Sequence, residues 1–258
     1  MMRKLIKLSF AIALLSVFFL SCEDEKDARI EVWLTDDPGD FQEVNVDVQG
    51  VEIHSSEVDN ERGWQALDVT PQVYNLLELT NGTETLLGDI EIPGGRISQI
   101  RLKLGDNNTV KVDDQTFDLA TPSAQQSGLK VKINQVLAEG ITYKIVLDFD
   151  AAKSVIKTGQ GAYLLKPVIR ALTEAKDGAI KGKVEPASKV SIAVILGDET
   201  ITTTTTDEVT GEFMVGGLEA GTYKLVFDGP GELPVVEKSD VNVETGVVTD
   251  IGPVTVTQ

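Results

Sequence analysis

Apolar side chains in this chain recur at every second position, segment after segment, and that period leaves little but β-sheet open to it. In RISQIRLKLG, Ile100, Leu102 and Leu104 share one face while Arg101 and Lys103 take the other. ITYKIVLDFD lines up Ile141, Tyr143, Ile145, Leu147 and Phe149, and LKVKIN sets Leu129, Val131 and Ile133 against Lys130, Lys132 and Asn134. Each pattern describes a strand with one buried face. Residues with turn chemistry punctuate them: Asn81-Gly82, Pro93-Gly94-Gly95 and Gly105-Asp106-Asn107-Asn108. From Ala28 onward no long segment spaces its apolar residues as a helix would. The expected class is therefore all-β, built as two sandwich-like domains of short antiparallel strands. Gly94-Gly95 and Gly216-Gly217 open no helix, so they read as turns and not as phosphate loops.

The alternation lapses near TEAKD, Thr173 to Asp177, which reads as a polar joint. It separates a first domain over 29–173 from a second over 177–258. In the second, strands are expected around Ile180–Val184, Lys189–Leu196, Glu199–Thr206, Glu212–Val215, Thr222–Phe227 and Val247–Val256. The run Thr202 to Thr206 is β-branched throughout and fits a strand better than a glycosylated stalk, with a turn following at Asp207 to Gly211.

Ahead of these domains, Arg3, Lys4 and Lys7 precede an apolar run from Leu8 to Leu20, which ends at Ser21-Cys22. The run is short for a bilayer crossing and reads as a cleaved secretory signal peptide over residues 1–21. FLSC resembles a bacterial lipobox, with Phe19 in the place of the usual aliphatic residue. The resemblance implies that Cys22 becomes a lipidated N-terminus whose acyl chains hold the protein on a membrane. Cys22 is the only cysteine, so no internal disulfide is available and stability rests on the cores. The acidic tether over residues 22–28 contains EDEKDA, which resembles signals that send lipoproteins of Bacteroidetes-type bacteria to the cell surface. The expected location is the outer membrane, exposed at the surface.

Charge narrows the partners. Without Arg3, Lys4 and Lys7, 20 basic side chains face 41 acidic ones, a net of −21 for the mature chain. Nucleic acid is not an expected partner, because phosphate backbones are bound by clustered Lys and Arg.

The stretch LTDDPGDFQEVNVDVQGVEIHSS, Leu34 to Ser56, raises the question of a site. Val44, Val46 and Val48 alternate, and after Gly50 the apolar positions become Val51 and Ile53. A one-residue slip turns every later side chain over, so a β-bulge at or beside Gly50 is expected, with His54 pointing outward. Ser55 and Ser56 do not give His54 the geometry of a catalytic triad. One histidine and a lipidated cysteine do not make a zinc site. Asp36, Asp37 and Asp40 crowd a loop whose oxygens suit calcium; a tight turn, with Asp accepting backbone N–H bonds and glycine at positive φ, is the expectation and calcium its rival. Asp148 and Asp150 share a strand face and read as solvated, since glycoside hydrolysis needs carboxyls opposed across a cleft. Trp33, Trp64 and Tyr163 are the candidates for a glycan platform, though isolated aromatics usually fill cores. No catalytic residue, cofactor or metal ligand is assigned.

Several of these segments carry a family likeness. LTDDPGDFQEVNVDVQGVEIHSS, then GW, YNLLELTNG, IRLKLGDNN, TPSAQQSGLKV, LDFDAAKSV and YLLKPVIR resemble, in that order, the bacterial family of domain of unknown function 4382. The resemblance spans about Arg29 to Leu172 and implies an exported β-rich domain, often on lipoproteins, without an established activity. GAIKGKV and TDEVTGEFMVGGLEAGTYKLVF resemble the carboxypeptidase regulatory-like domains, which implies a transthyretin-like sandwich of seven strands, non-catalytic and grouped with carbohydrate-binding-like folds. The expected function is a non-enzymatic, lipid-anchored envelope protein that serves adhesion, scaffolding or assembly with another surface protein. The alternative is a carbohydrate-binding lipoprotein that holds a glycan on a sheet face or loop end.

Overall fold

A computed structural model describes residues 26–37, 39–55, 63–121, 128–229, 231 and 234–256. The signal peptide, Cys22 and most of the tether lie outside the described residues. The chain is all-β. Its first part contains β1 (Ala28–Asp37), β2 (Glu43–Ser55), β3 (Trp64–Ala66), β4 (Asp68–Val69), β5 (Gln72–Asn75), β6 (Thr85–Ile92) and β7 (Gly95–Leu104). There follow β8 (Thr109–Val112), β9 (Gln115–Ala120), β10 (Leu129–Leu137), β11 (Thr142–Asp150), a one-turn helix α1 (Ala151–Ser154), β12 (Val155–Lys157), β13 (Tyr163–Leu165) and β14 (Ile169–Ala175). One sheet has the order β14-β11-β1-β6-β4; the other runs β10-β7-β2-β8-β9-β13-β12, with β3 and β5 also pairing to β2. Ile30, Val32 and Leu34 of the first sheet and Val44, Val46, Ile53, Ile100 and Leu102 of the second are almost wholly buried in one shared core.

Pairing is not antiparallel throughout. β1 and β11 run parallel over nine matched pairs, from Arg29 opposite Thr142 to Asp37 opposite Asp150. The alternation gave their faces correctly, but alternation is identical in parallel and antiparallel strands. Pro93-Gly94-Gly95 joins β6 to β7, strands of different sheets, so it is a crossing between layers and not a hairpin.

The bulge expected beside Gly50 is present. Val48 pairs with Leu104 and Gly50 with Lys103, which leaves Gln49 extra and returns Val51 and Ile53 to the core. Next to it the GDNN segment is built around Asp47, a carboxylate only 3% exposed. Asp47 accepts hydrogen bonds from Gln49 Nε2 (2.5 Å), the Asn107 backbone N–H (3.2 Å) and Asn107 Nδ2 (3.0 Å). Its own N–H donates to Asn108 Oδ1 (2.8 Å), while Asn108 Nδ2 donates to the Gly105 carbonyl (2.7 Å) and to Thr121 Oγ1 (3.2 Å). A Cβ at Gly105 would sit 2.2 Å from Asp47 Oδ2, so only glycine fits there.

The second part comprises β15 (Gly178–Glu185), β16 (Ser191–Leu196), β17 (Glu199–Thr205), β18 (Glu212–Leu218), β19 (Gly221–Asp228), β20 (Val236–Val243) and β21 (Val248–Thr255). A three-stranded sheet β18-β15-β21 and a four-stranded sheet β17-β16-β19-β20 enclose a second core around Ile192, Val194, Tyr223, Leu225 and Phe227. Thr202 to Thr205 of the threonine run lie in β17, with Thr206 just past its end, and Asp207 Oδ1 accepts the Val209 and Thr210 N–H groups in the turn that follows. β20 was not among the expected strands. Asp240 sits there at φ 61°, and the register against β19 shifts, so the two-residue period is broken in mid-strand.

The polar joint is shorter than expected. Thr173, Glu174 and Ala175 still pair with β11, which leaves Lys176 and Asp177 as the link. Asp177 is tied to both sides: its Oδ1 accepts the Thr142 N–H (2.8 Å) and its carbonyl accepts the Gly246 N–H (2.7 Å). Ala179 is wholly buried against the first core.

Replacing Asn108 by Ala removes the acceptor of a buried N–H and two donated bonds. Each buried group left unpaired costs about 1–3 kcal/mol. Urea unfolding should show Asn108→Ala with a lower midpoint and an unchanged slope, and Asn107→Ala, at an exposed position, with a smaller drop.

Candidate functional site

The parallel register of β1 and β11 gathers acids from opposite halves of the first domain. Thr35 lies opposite Asp148 and Asp37 opposite Asp150, while Arg170 on β14 lies opposite Asp148 on its other side. Asp148 and Asp150 are 7% and 8% exposed, which corrects the solvated face expected of them. Arg170 lies over Asp148 in a close ion pair and reaches Asp37 at 3.1 Å. Asp150 caps α1, its Oδ1 accepting the Lys153 N–H (2.9 Å) and its Oδ2 pairing with Lys153 Nζ (2.5 Å). The Lys153 ammonium beside it holds the Asp150 carboxyl below its ordinary range. Above this row an open cleft of about 440 Å³ is lined by Thr35, Asp37, Asn81, Glu84, Val146 and Leu172.

Asp36 belongs to the same row but turns the other way, into the core face of β1. Only 4% exposed, it accepts the Ala151 N–H through Oδ1 (2.9 Å), and its Oδ2 has no hydrogen-bond partner. Burial pushes its carboxyl up to about 7, opposed by the Ala151 bond and reinforced by the charges of Asp150, Asp37 and Asp148. The expected local turn is thus not what Asp36 serves, because its bond is to a residue 115 positions away. Gly39 is not at positive φ, and Pro38 lies outside the described residues. Asp40 is exposed. Among the described residues no group of three or more His, Cys, Asp or Glu side chains could hold a metal ion. The three acids considered for calcium do not converge: one is buried, one is paired to Arg170 and one faces solvent.

His54 corrects a second expectation. It stands on the face away from the core, yet it is only 5% exposed, because β3 pairs beside β2 and sets Trp64 directly across from it. The Trp64 ring meets its edge at 4.9 Å, and its Nδ1 lies 3.0 Å from Ser98 Oγ. Gly63 makes this approach possible: a Cβ there would lie 2.7 Å from the Ser55 carbonyl and 3.0 Å from His54 Nε2. Ser98, and not Ser55, is the serine at hydrogen-bond distance from the histidine ring; Ser56 lies outside the described residues. A triad also needs a carboxylate on the histidine. The acid two positions away, Glu52, is taken up by Lys103 and by Arg101 Nη1 at 2.9 Å. Desolvation raises the Glu52 carboxyl, and those two cations outweigh it, so the group is held below its usual range.

The tryptophans do not fill cores. Trp33 and Trp64 are half-buried on outer sheet faces, and cations lie over both: Arg101 stands 3.9 Å from the Trp64 centroid and Lys144 5.4 Å from that of Trp33. Tyr163 is buried in the first core, as isolated aromatics in sheets usually are. Arg170 and Arg101, which hold the two charged faces together, carried no sequence signal beyond their outward position in an alternating strand.

Asp36 yields a pH dependence with a definite sign. Its folded pKa lies above its unfolded one, so its contribution to stability is fully present below about pH 4 and is lost as pH rises through about 7. One such group changes stability by at most about 1.4 kcal/mol per pH unit. Asp36→Asn, which keeps the acceptor for Ala151, should flatten the decline between those limits and be the more stable variant at pH 8, as read from urea midpoints across pH.

Comparison with solved structures finds distant likenesses. The Bacillus anthracis TIE protein is 10% identical at a TM-score of 0.24, with 90% of this chain covered and 34% of that one, so the chain spans about a third of its length. The major pilin of Streptococcus pyogenes is 12% identical at a TM-score of 0.19, with 90% of this chain and 98% of that one covered. At these scores the likenesses carry no argument. No curated protein matches. A family model does match, over residues 27–167, and its strands are those that carry the Asp36 row and the His54–Trp64 face. The chain belongs to the family of the domain of unknown function DUF4382.

Proposed function

We propose that this is a lipid-anchored, non-enzymatic protein of the bacterial cell envelope, surface-exposed, whose two sandwiches serve adhesion, scaffolding or assembly. The observation that carries the reading is the place of Cys22, directly after a basic and apolar leader and four positions before Lys26. Lys26 belongs to the fold, since its carbonyl accepts the Gly140 N–H at 3.1 Å. Four residues reach at most about 14 Å, so a lipid on Cys22 would hold the body close to the bilayer. Lys26 and Gly140 lie where the two sandwiches meet, since a Cβ on Gly140 would stand 3.0 Å from Met214 Sδ. In this reading the seam faces the membrane. The Asp36 row lies at the other end of β1, about 30 Å along the strand from the seam.

A seven-stranded second sandwich, three strands over four, supports a kinship with carboxypeptidase regulatory-like domains. The acids in both charged faces support a non-catalytic role, because Arg170, Lys153, Arg101 and Lys103 already engage them. A glycan platform would need a bare aromatic face, and the cations over Trp33 and Trp64 count against it.

Cells fed a labelled fatty acid should label the wild-type protein and leave Cys22→Ala unlabelled and released from membranes. Label retained by Cys22→Ala would refute the anchor. Protease treatment of intact cells should degrade the protein if it is surface-exposed. The soluble form beginning at Glu23 should bind nothing on a glycan array, and saturable binding there would put the carbohydrate reading in its place.

A further inference from the structure

The long sheet edges of this protein mostly carry features that discourage another strand from pairing. β10 bears Lys130 and Lys132, and β14 bears Arg170 and Glu174. β20 bears Glu237 and Lys238 and is bent at Asp240; β21 contains Gly252 at φ 67° and then Pro253. β17, the edge of the four-stranded sheet, is different. Its one irregularity is at Ile201, where the register against β16 shifts. Beyond it Thr202–Thr205 pairs residue for residue with Val194–Ser191, without a charge, a proline or a bulge. Thr203 and Thr205 are exposed, and Thr202 and Thr204 are half-buried on the alternate positions. The outer N–H and C=O groups of such an edge are a template for strand addition.

Beside this edge runs a groove of about 730 Å³, in which Thr204 and Thr205 stand with Asp207, Glu212 and Asp250 and with three lysines, Lys26, Lys181 and Lys183, so the charge that favours one partner is that of the edge's own flanks and not of the groove. β18, across it, is the edge of the opposite sheet. Carboxylates bracket the threonine run at both ends, with Asp198 and Glu199 before it and Asp207 and Glu208 after it. The whole chain carries −18. Both charges repel a second copy and favour a cationic strand.

We propose that the edge of β17 takes up an extended polypeptide segment as an added strand, its middle uncharged and β-branched and its ends basic. This gives the assembly role above a partner class, and it does not depend on the lipid anchor. Main-chain bonds along Thr202–Thr205 would supply affinity, and the flanking acids would select the partner by charge.

The probe is a fluorescein-labelled peptide, Lys-Lys-Thr-Val-Thr-Val-Thr-Lys-Lys, titrated with the purified chain beside a twin carrying Glu in place of each Lys. The basic peptide should bind saturably and the acidic twin should not. The double variant Thr203→Lys/Thr205→Lys, with both changes at exposed positions, should weaken the basic peptide by about tenfold, because lysines on an edge discourage strand addition and offset the flanking acids. In the wild type, amide exchange at Thr202–Thr205 should slow when the peptide binds, a readout that stands even if the variant misfolds. Equal binding of both peptides, binding unchanged in the folded variant, or no added protection at those amides would overturn the proposal. So would a concentration-dependent dimer lost in the variant, which would make the occupant a second copy. None of these outcomes bears on fatty-acid labelling, so the anchor and the edge fail separately.

Discussion

The first domain depends on one pairing, β1 beside β11, parallel and in register over nine pairs. It forms the middle of the five-stranded sheet, so β6 and β14 have their places only because it exists. Parallel neighbours need a long crossover, and here more than a hundred residues, including the whole second sheet up to β10, lie between them. The closure entropy of so long a connection grows only slowly with length, and the buried row of Ile30, Val32, Leu34, Ile145, Leu147 and Phe149 offsets it. The same pairing sets the two ends of the molecule. At the start of both strands is the joint with the second sandwich, through Thr142 and Asp177; at their finish is the row of aspartates.

Charges in this strongly acidic protein act mainly as clamps between neighbouring strands. Arg170 bridges two strands to hold Asp37 and Asp148, and Arg101 lies between Glu52 and the face of Trp64. Exposed pairs of this kind contribute little each. Their larger effect is to satisfy carboxylates that the fold has half withdrawn from water. Asp36 is the exception: it has one backbone donor, an unpartnered oxygen and three like charges around it, so the neutral acid is its favoured form up to about pH 7.

Much of the fold was legible because alternation reports faces directly. It located the bulge at Gly50 through a single slipped register, and it read the threonine run as a strand, which holds for Thr202 to Thr205. What it could not report was which strand lies beside which. The direction of β11 relative to β1 left no mark on either sequence, and Asp36 looked like a turn residue because its partner Ala151 is remote. His54 was placed on the correct face, but its burial comes from Trp64, which a later segment lays across it. β20 escaped notice because Asp240 interrupts its period. For the candidate site the residue types were visible and their neutralising partners were not, since Arg170 and Arg101 act across strands.

Cysteine pairs on the outer face of the central sheet, introduced with Cys22 replaced by Ser, test the parallel pairing most directly. Glu31 lies opposite Lys144 and Thr35 opposite Asp148. The account predicts that the pairs Glu31→Cys/Lys144→Cys and Thr35→Cys/Asp148→Cys each close a disulfide under mild oxidation. Closure instead of Glu31→Cys/Asp148→Cys and Thr35→Cys/Lys144→Cys would mean that the two strands run in opposite directions, and would contradict it.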